Sequence, residues 1–275
     1  MNILLISSKK SYTTQRLMEE AGRLGIGLNV VSMEDLVRID FEVNVKEYDS
    51  LYIRNPYLNA GAEKLPQIIK LAKKFKNSGK KVVDSVIGDG QLGEGKWVDY
   101  QKLAKAKLPI PATICLGKNN LKKLKYSLVL KWIYGFKAEN VFYVRDEDQL
   151  AKLLPKHPLK EWLAQEFLPA DYEYKVMVVG HRSVPIVLRF EIRTDGFGIK
   201  YRTGKAVRAS TIPKVVSLAE KASRLLGREL TKVDILYSGG LYYILEVNRF
   251  PGIKPFENFT KMNLAAKFIE YVRKA

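Results

Sequence analysis

The amino-acid sequence predicts a mixed α/β (α+β) protein: an N-terminal parallel α/β domain over residues 1–90, then two α+β subdomains over 91–163 and 164–275. Three observations predict it. Before residue 90, short apolar runs alternate with helix-period patterns, the rhythm of a small parallel sheet with helices on its faces. The segment GDGQLGEG (88–95) holds four glycines in eight residues and no large core residue except Leu92, which marks a loop and a boundary; lacking a terminal Lys-Ser/Thr, it is not a P-loop. From residue 164 the chain is rich in strand patterns, and 275 residues at 47% hydrophobic content suffice for two or three cores.

In the first domain NILLIS reads as a strand and TTQRLMEEAGRLG as a helix, with Thr13 or Thr14 as N-cap and Gly25 as its stop. The strands LNVVSM, SLYIRN and KKVVDSV follow, with the helix LPQIIKLAKKFKNSG ending at Gly79 before the last of them. In the second unit the helix VDYQKLAKAK is closed by the turn LPIP. ATICL, a basic helix over 117–125, SLVLKWIYG, NVFYVR and the helical DEDQLAKLLP come next. LAQEFL opens the third unit, with strands YKVMVVG, HRSVPIVLRFEI and FGIKYR, a helix VVSLAEKASRLLG, and strands KVDILYS and LYYILEVN. Gly239-Gly240 suits a tight hairpin between these two strands. The closing helix MNLAAKFIEYVRK puts basic residues in its last turn, as the helix dipole favours.

Composition excludes several functions. One cysteine, Cys115, rules out an internal disulfide, and with only His157 and His181 besides it, a soft zinc or iron–sulfur site lacks ligands. Cys115 in PATICLG reads as a small buried hydrophobe. A bound metal is therefore expected to be a hard cation on oxygens. No run reaches the length of a membrane span, and the apolar start of MNILLISSKK is too short for a signal peptide, so the expected location is the cytoplasm. The net charge of +18 attracts polyanions without choosing among them. The lysine-rich stretches 70–81 and 117–125 hold one aromatic between them, Phe75, and not the interleaved series that stacks nucleic-acid bases, so nucleic acid is not the favoured partner.

The hairpin VDILYSGGLYYILEVN concentrates the chemistry. Alternation puts Glu246 and Asn248 on one face, with Leu245 and Val247 toward the core, and an antiparallel partner brings Asp234 alongside. Facing carboxylates repel unless a cation lies between them, and three hard oxygens with room for phosphate suit Mg²⁺. Spacing alone fits equally well two exposed residues on an outer sheet face. The lysines favour the site: Lys131 lies inside an apolar strand, where an unpaired ammonium is costly, and Lys96 opens a helix just after the glycine-rich loop.

Four segments, GKWVDYQKLAKAKLPIPAT, LVLKWIYGFKAENV, QEFLPADYEYKVMVVG and VDILYSGGLYYILEVNRFPG, stand in the order and spacing of a known family. From about Lys96 to the C-terminus the chain resembles the ATP-grasp superfamily, specifically its RimK-like and LysX-like carboxylate–amine ligases. The resemblance implies an ATP-grasp fold whose two α+β subdomains clasp ATP. It implies that Lys96 and Lys131 hold the phosphates, that Glu166 and Leu168 offer hinge contacts to adenine, and that Glu173 takes the ribose hydroxyls. Asp234, Glu246 and Asn248 would be ligands to Mg²⁺, or to Mn²⁺ in its place. Arg189 and Arg202 would lie near the transferred phosphate or the acyl substrate.

The sequence also departs from the family pattern. The lid keeps only Gly135, with Lys137 offering a charge in place of backbone contacts; Lys200 stands where the family has Asn, and Lys175 replaces an Arg. The implied activity is ATP-dependent amide formation through an acyl phosphate, adding an amino acid such as glutamate to an acidic small molecule, peptide or carrier protein. A homo-oligomer is compatible with it. Arg54 and Asn55, in the loop after the third strand, are candidates for binding the acceptor, where open α/β sheets place ligands. The alternatives are another ATP-grasp ligation and an ATP-binding protein of RNA or ribosomes without ligase activity.

Overall fold

The computed structural model describes residues 1–36, 42–54, 65–92, 95–117, 120, 125–133, 141–153, 158–194 and 199–274. The first domain contains β1 (Asn2–Ile6), α1 (Tyr12–Arg23), β2 (Gly27–Val31), α2 (Met33–Leu36), β3 (Ser50–Ile53), α3 (Leu65–Asn77), β4 (Lys81–Val83) and α4 (Ser85–Gly88). Its four strands form a wholly parallel sheet in the order β2-β1-β3-β4. Period-2 alternation divides β1 between two cores: Leu4 and Ile6 pack with Ile68, Ala72 and Phe75 of α3, whereas Ile3 and Leu5 pack with Leu17 and Ala21 of α1.

The second unit is α5 (Gly95–Lys105), β5 (Thr113–Cys115), β6 (Leu128–Trp132), β7 (Val141–Val144), α6 (Glu147–Leu153) and β8 (Trp162–Glu166), with an antiparallel sheet in the order β5-β8-β6-β7. The third is β9 (Tyr172–Val179), β10 (Arg182–Ser183), β11 (Ile186–Thr194), β12 (Ile199–Arg208), α7 (Pro213–Leu225), β13 (Leu230–Ser238), β14 (Leu241–Asn248), α8 (Lys254–Thr260) and α9 (Leu264–Lys274). Its sheet runs β12-β11-β9-β13-β14, with β10 paired to β9. Helix α7 covers one face through Val215, Ala219 and Ala222. Helix α9 returns to the first domain, where Phe268, Ile269 and Val272 join Ile3 and Leu5. The last helix therefore ties the third unit to the first.

Several details differ from the sequence expectations. Ser11 caps α1, its Oγ accepting from Thr14 N at 3.1 Å; Thr13 and Thr14 lie inside the helix, and Thr14 Oγ1 is 2.8 Å from Ser7 Oγ. The run HRSVPIVLRFEI is two strands, because Pro185 has no N–H to continue the ladder. Strand β8 runs across residue 163/164 and pairs within the second sheet on both sides. Cys115 is half-buried and its thiol donates to Lys160 O at 3.3 Å; burial pushes the thiol pKa up. Most of the basic stretch 117–125, and His157, lie outside the described residues. No described helix is long and apolar enough to cross a membrane.

Candidate functional site

A cleft of about 700 Å³ is bounded by the second and third sheets and by the start of α1. Its floor is the β13–β14 hairpin, turned by Gly239 and Gly240 at φ +56° and +81°, the left-handed region this two-residue turn requires. Asp234 pairs across the ladder with Glu246, and Lys232 with Asn248. A bulge follows, since Ile235 pairs with Ile244 and leaves Leu245 as an extra residue. Leu245 and Glu246 both line the cleft while Ile244 and Val247 enter the core behind. Strict alternation had placed Leu245 in the core; the bulge moves it to the cleft wall. Tyr100 of α5 donates to Leu245 O at 2.5 Å, holding the bulge from behind.

Three carboxylates gather here, each beside a lysine. Lys175 lies 2.9 Å from Glu173, Lys232 3.0 Å from Asp234 and Lys96 3.4 Å from Glu246. Burial pushes Asp234 above the usual carboxylate range, against the pull of Lys232 and Lys175. Burial acts the same way on Glu246, but Lys96, Lys131 and Lys232 outweigh it and hold that group below its ordinary pKa. Lys131 is pushed down to about 8 by burial, opposed by Glu246, Asp234 and Glu173. Its ammonium donates to Gln165 Oε1 at 2.5 Å and Tyr100 Oη at 3.4 Å, both neutral oxygens.

The donor set fits a hard cation. Asp234 Oδ2 accepts from Asn248 Nδ2 at 3.1 Å, which leaves the Asn248 carbonyl oxygen for another partner. Asp234 Oδ1 is buried and has no hydrogen-bond partner among the described residues, an expensive state for a carboxylate that a cation relieves. Among the described residues no three His, Cys, Asp or Glu side chains are placed to hold one metal ion together, so this set is two carboxylates and an amide. Beyond it, Pro111, Val129, Phe167, Leu168, Leu236 and Leu245 supply an apolar slot, with Glu166 at its rim.

Eight predicted residues therefore share one cleft: Lys96, Lys131, Glu166, Leu168, Glu173, Asp234, Glu246 and Asn248. The two arginines do not join them. Arg189 pairs with Tyr174 in the ladder, and its guanidinium lies 4.7 Å from the Tyr172 ring centroid, on the sheet face opposite Glu173 and Lys175. Arg202 is exposed on edge strand β12; its neighbour Tyr201 lines the cleft instead. Arg54 does line the cleft, 2% exposed, donating to Tyr52 Oη at 3.2 Å and Pro251 O at 3.1 Å. Asn55, Gly135, Lys137 and the Lys200 side chain lie outside the described residues.

Sequence reasoning missed Tyr100, Gln165, Tyr201, Lys232 and the bracket behind the hairpin. There, Arg228 donates to Val247 O, between Glu246 and Asn248, and to Asp99 Oδ1 at 2.6 Å, one turn after Lys96. Arg249 donates to Gln91 O at 2.9 Å and lies 3.8 Å from Asp84, so it anchors the strand end to the glycine-rich segment. Arg228 stands beside Glu229 in LLGREL and carries no local signal, because its partners are too distant in sequence to read. Arg228→Met is expected to cost about 3–5 kcal/mol in chemical denaturation, because Asp99 is left without its cation, and Arg228→Met/Asp99→Leu to recover part of that loss.

A family model for the RimK-like ATP-grasp domain matches residues 93–272. A probable alpha-L-glutamate ligase of Legionella pneumophila is 26% identical over 191 residues, a match covering 65% of this chain and 63% of that protein, under two thirds of the relative's length. One from Haemophilus influenzae is 20% identical over 293 residues, covering 98% and 96%. The ATP-grasp ligase PsnB, solved with a minimal precursor, shares the fold at TM-score 0.76 and 16% identity, over 100% of this chain and 98% of that one. The RimK domain protein ATP-grasp of Sphaerobacter thermophilus gives 0.69 at 18% identity, over 99% and 100%. With the family model covering well over half of its length, the chain belongs to the RimK-like ATP-grasp family.

Proposed function

We propose that this protein is an ATP-dependent carboxylate–amine ligase that joins an amino acid such as glutamate to an acidic acceptor, a small molecule, peptide or carrier protein. The observation that carries the reading is the cleft itself, whose lining combines apolar side chains, Lys96 and Lys131, and a buried Asp234 oxygen without a hydrogen-bond partner among the described residues. In this assignment adenine lies between Val129, Phe167, Leu168 and Leu245, with the main chain of Glu166 and Leu168 at its edge. Glu173 takes the ribose, Lys96 and Lys131 take the phosphates, and Asp234, Glu246 and Asn248 hold Mg²⁺, which supplies charge neutralisation when bound.

A substrate carboxylate oxygen attacks the γ-phosphorus of ATP, the bond to the β-phosphate oxygen breaks, and ADP and an acyl phosphate result. A neutral amine then attacks the acyl carbon; phosphate leaves and the extra amine proton passes to solvent. Catalysis of this kind is mostly positioning and charge compensation. With Arg189 on the opposite face, the compensation in the first step falls to Lys96, Lys131 and Lys175. Arg54 and the N-terminus of α1, at the same cleft, are suited to the acceptor's carboxylate, and the +18 charge draws acidic acceptors.

The test is ADP release measured across panels of acids and amines. We expect turnover only when a glutamate-rich peptide or similar polyacid and an amino acid are both present, and Arg54→Ala is expected to raise KM for the acid by about tenfold or more, the cost of a charge-assisted hydrogen bond. ADP release indifferent to the amine, together with steeply salt-dependent RNA binding, would favour the non-ligase alternative.

A further inference from the structure

Lys232 has no place in the assignment above, yet it stands among the metal ligands. It precedes Asp234 by two residues on one strand and therefore shares its face, and it pairs across the ladder with Asn248. Both Lys232 and Asp234 line the cleft. Its ammonium lies 3.0 Å from Asp234 Oδ2, the oxygen that also accepts from Asn248 Nδ2 at 3.1 Å. Only Oδ1 of Asp234 remains without a partner among the described residues. With Oδ2 taken by two donors, Asp234 offers a metal its Oδ1.

The surrounding charges point the same way. On its other side Asp234 is paired in the ladder with Lys175, which is itself 2.9 Å from Glu173. Burial lowers the Lys175 pKa, but Asp234 and Glu173 more than offset this and keep it a firm cation. Two ammonium groups thus flank Asp234, and a divalent ion on the Oδ2 side would meet both at short range in a poorly screened site. Besides Lys232, the lysines that act on Glu246 are Lys96, 3.4 Å away, and Lys131; in the assignment above both turn to phosphate.

We propose that Lys232 is a resident cation of the metal cradle, so that the site takes one divalent ion together with the nucleotide and binds divalent ions weakly in its absence. This rests on the nucleotide and metal assignment above. It gives Lys232 a function distinct from phosphate binding: it supplies counter-charge to Asp234 permanently, where a metal would supply it only when loaded.

The experiment counts bound Mn²⁺ by electron paramagnetic resonance, with and without a non-hydrolysable ATP analogue. Wild-type protein is expected to bind one Mn²⁺ per analogue, and to bind Mn²⁺ alone at least tenfold more weakly than Lys232→Met does. The variant is expected to bind a second Mn²⁺ in the ternary complex. Two Mn²⁺ per analogue in the wild type would overturn the role of Lys232 while leaving the nucleotide site standing, and so would a variant unchanged in both readings. Wild-type protein that takes up no analogue overturns the functional reading and this one together. The wild-type count needs no variant, so a misfolded Lys232→Met does not remove the test.

Discussion

Glu246→Gln combined with Asn248→Ala is expected to lower ADP formation by about 10³-fold or more, the scale lost when preorganised charge stabilisation is removed from an active site. The expectation follows from the hairpin. Glu246 and Asn248 are two of three oxygen donors on one face, and the third, Asp234, is already bonded through Oδ2 to Lys232 and Asn248. The double substitution leaves one free carboxylate oxygen and a neutral Gln amide, a donor set too weakly charged to hold Mg²⁺ against its hydration shell. ATP affinity should lose its dependence on Mg²⁺ at the same time. Glu246→Gln preserves the side-chain volume and the cross-strand pair, so thermal stability should change little; ADP formation and Mg²⁺-dependent binding that survive unchanged would show the metal assignment to be wrong.

The second large effect concerns Lys131 and pH. Burial brings its pKa down to about 8, below the ordinary lysine value, so the folded chain releases this proton before the unfolded chain does. Between about pH 8 and 10.5 the unfolded state binds more protons, and the contribution of this group to stability therefore rises with pH across that window. Nucleotide binding has the opposite sign. Phosphate oxygens favour the ammonium form, so ATP affinity should be constant below about pH 8 and then fall by up to about tenfold per pH unit, as binding comes to require proton uptake. Lys131→Met should weaken ATP binding at pH 7 and abolish the slope. Isothermal titration in buffers of different ionisation enthalpy measures both the affinity and the proton uptake; a flat profile through pH 9 in the wild type would count against contact between Lys131 and phosphate.

The parts of this molecule legible in its sequence are those set by local periodicity. The alternation of β1, the helix-period pattern of α3 and the Gly239-Gly240 turn each carry their signal within a few residues, and each forms as the pattern predicts. The eight expected residues that line one cleft sit in ordered motifs of a recognisable family. What escaped depends on register. Leu245 reaches the cleft through a bulge that no alternation rule anticipates. Arg189 falls on the wrong face because the pairing of β11 with β9, which sets Arg189 opposite Tyr174, is decided by strand alignment between distant segments. The bracket of Arg228 and Arg249 joins β14 to Asp99 and Gln91 across long stretches of chain. Its residues look unremarkable one at a time, and the function of each appears only in its partner.

The same distinction explains the lysines. Lys232 reads in sequence as a contribution to a basic net charge and Lys175 as a replaced Arg, and in the structure they lie 3.0 Å from Asp234 and 2.9 Å from Glu173. A surplus of positive charge that looked global is partly local, concentrated where a polyphosphate and carboxylates would meet.

The central claim is that a carboxylate is activated by phosphoryl transfer in this cleft. The most direct measurement uses a glutamate-rich peptide carrying ¹⁸O in its carboxylates, incubated with MgATP and glutamate, with the released phosphate analysed by mass spectrometry. An acyl-phosphate route transfers one ¹⁸O from carboxylate to phosphate per amide formed, and that is the predicted result. Amide formation with phosphate free of ¹⁸O would contradict it.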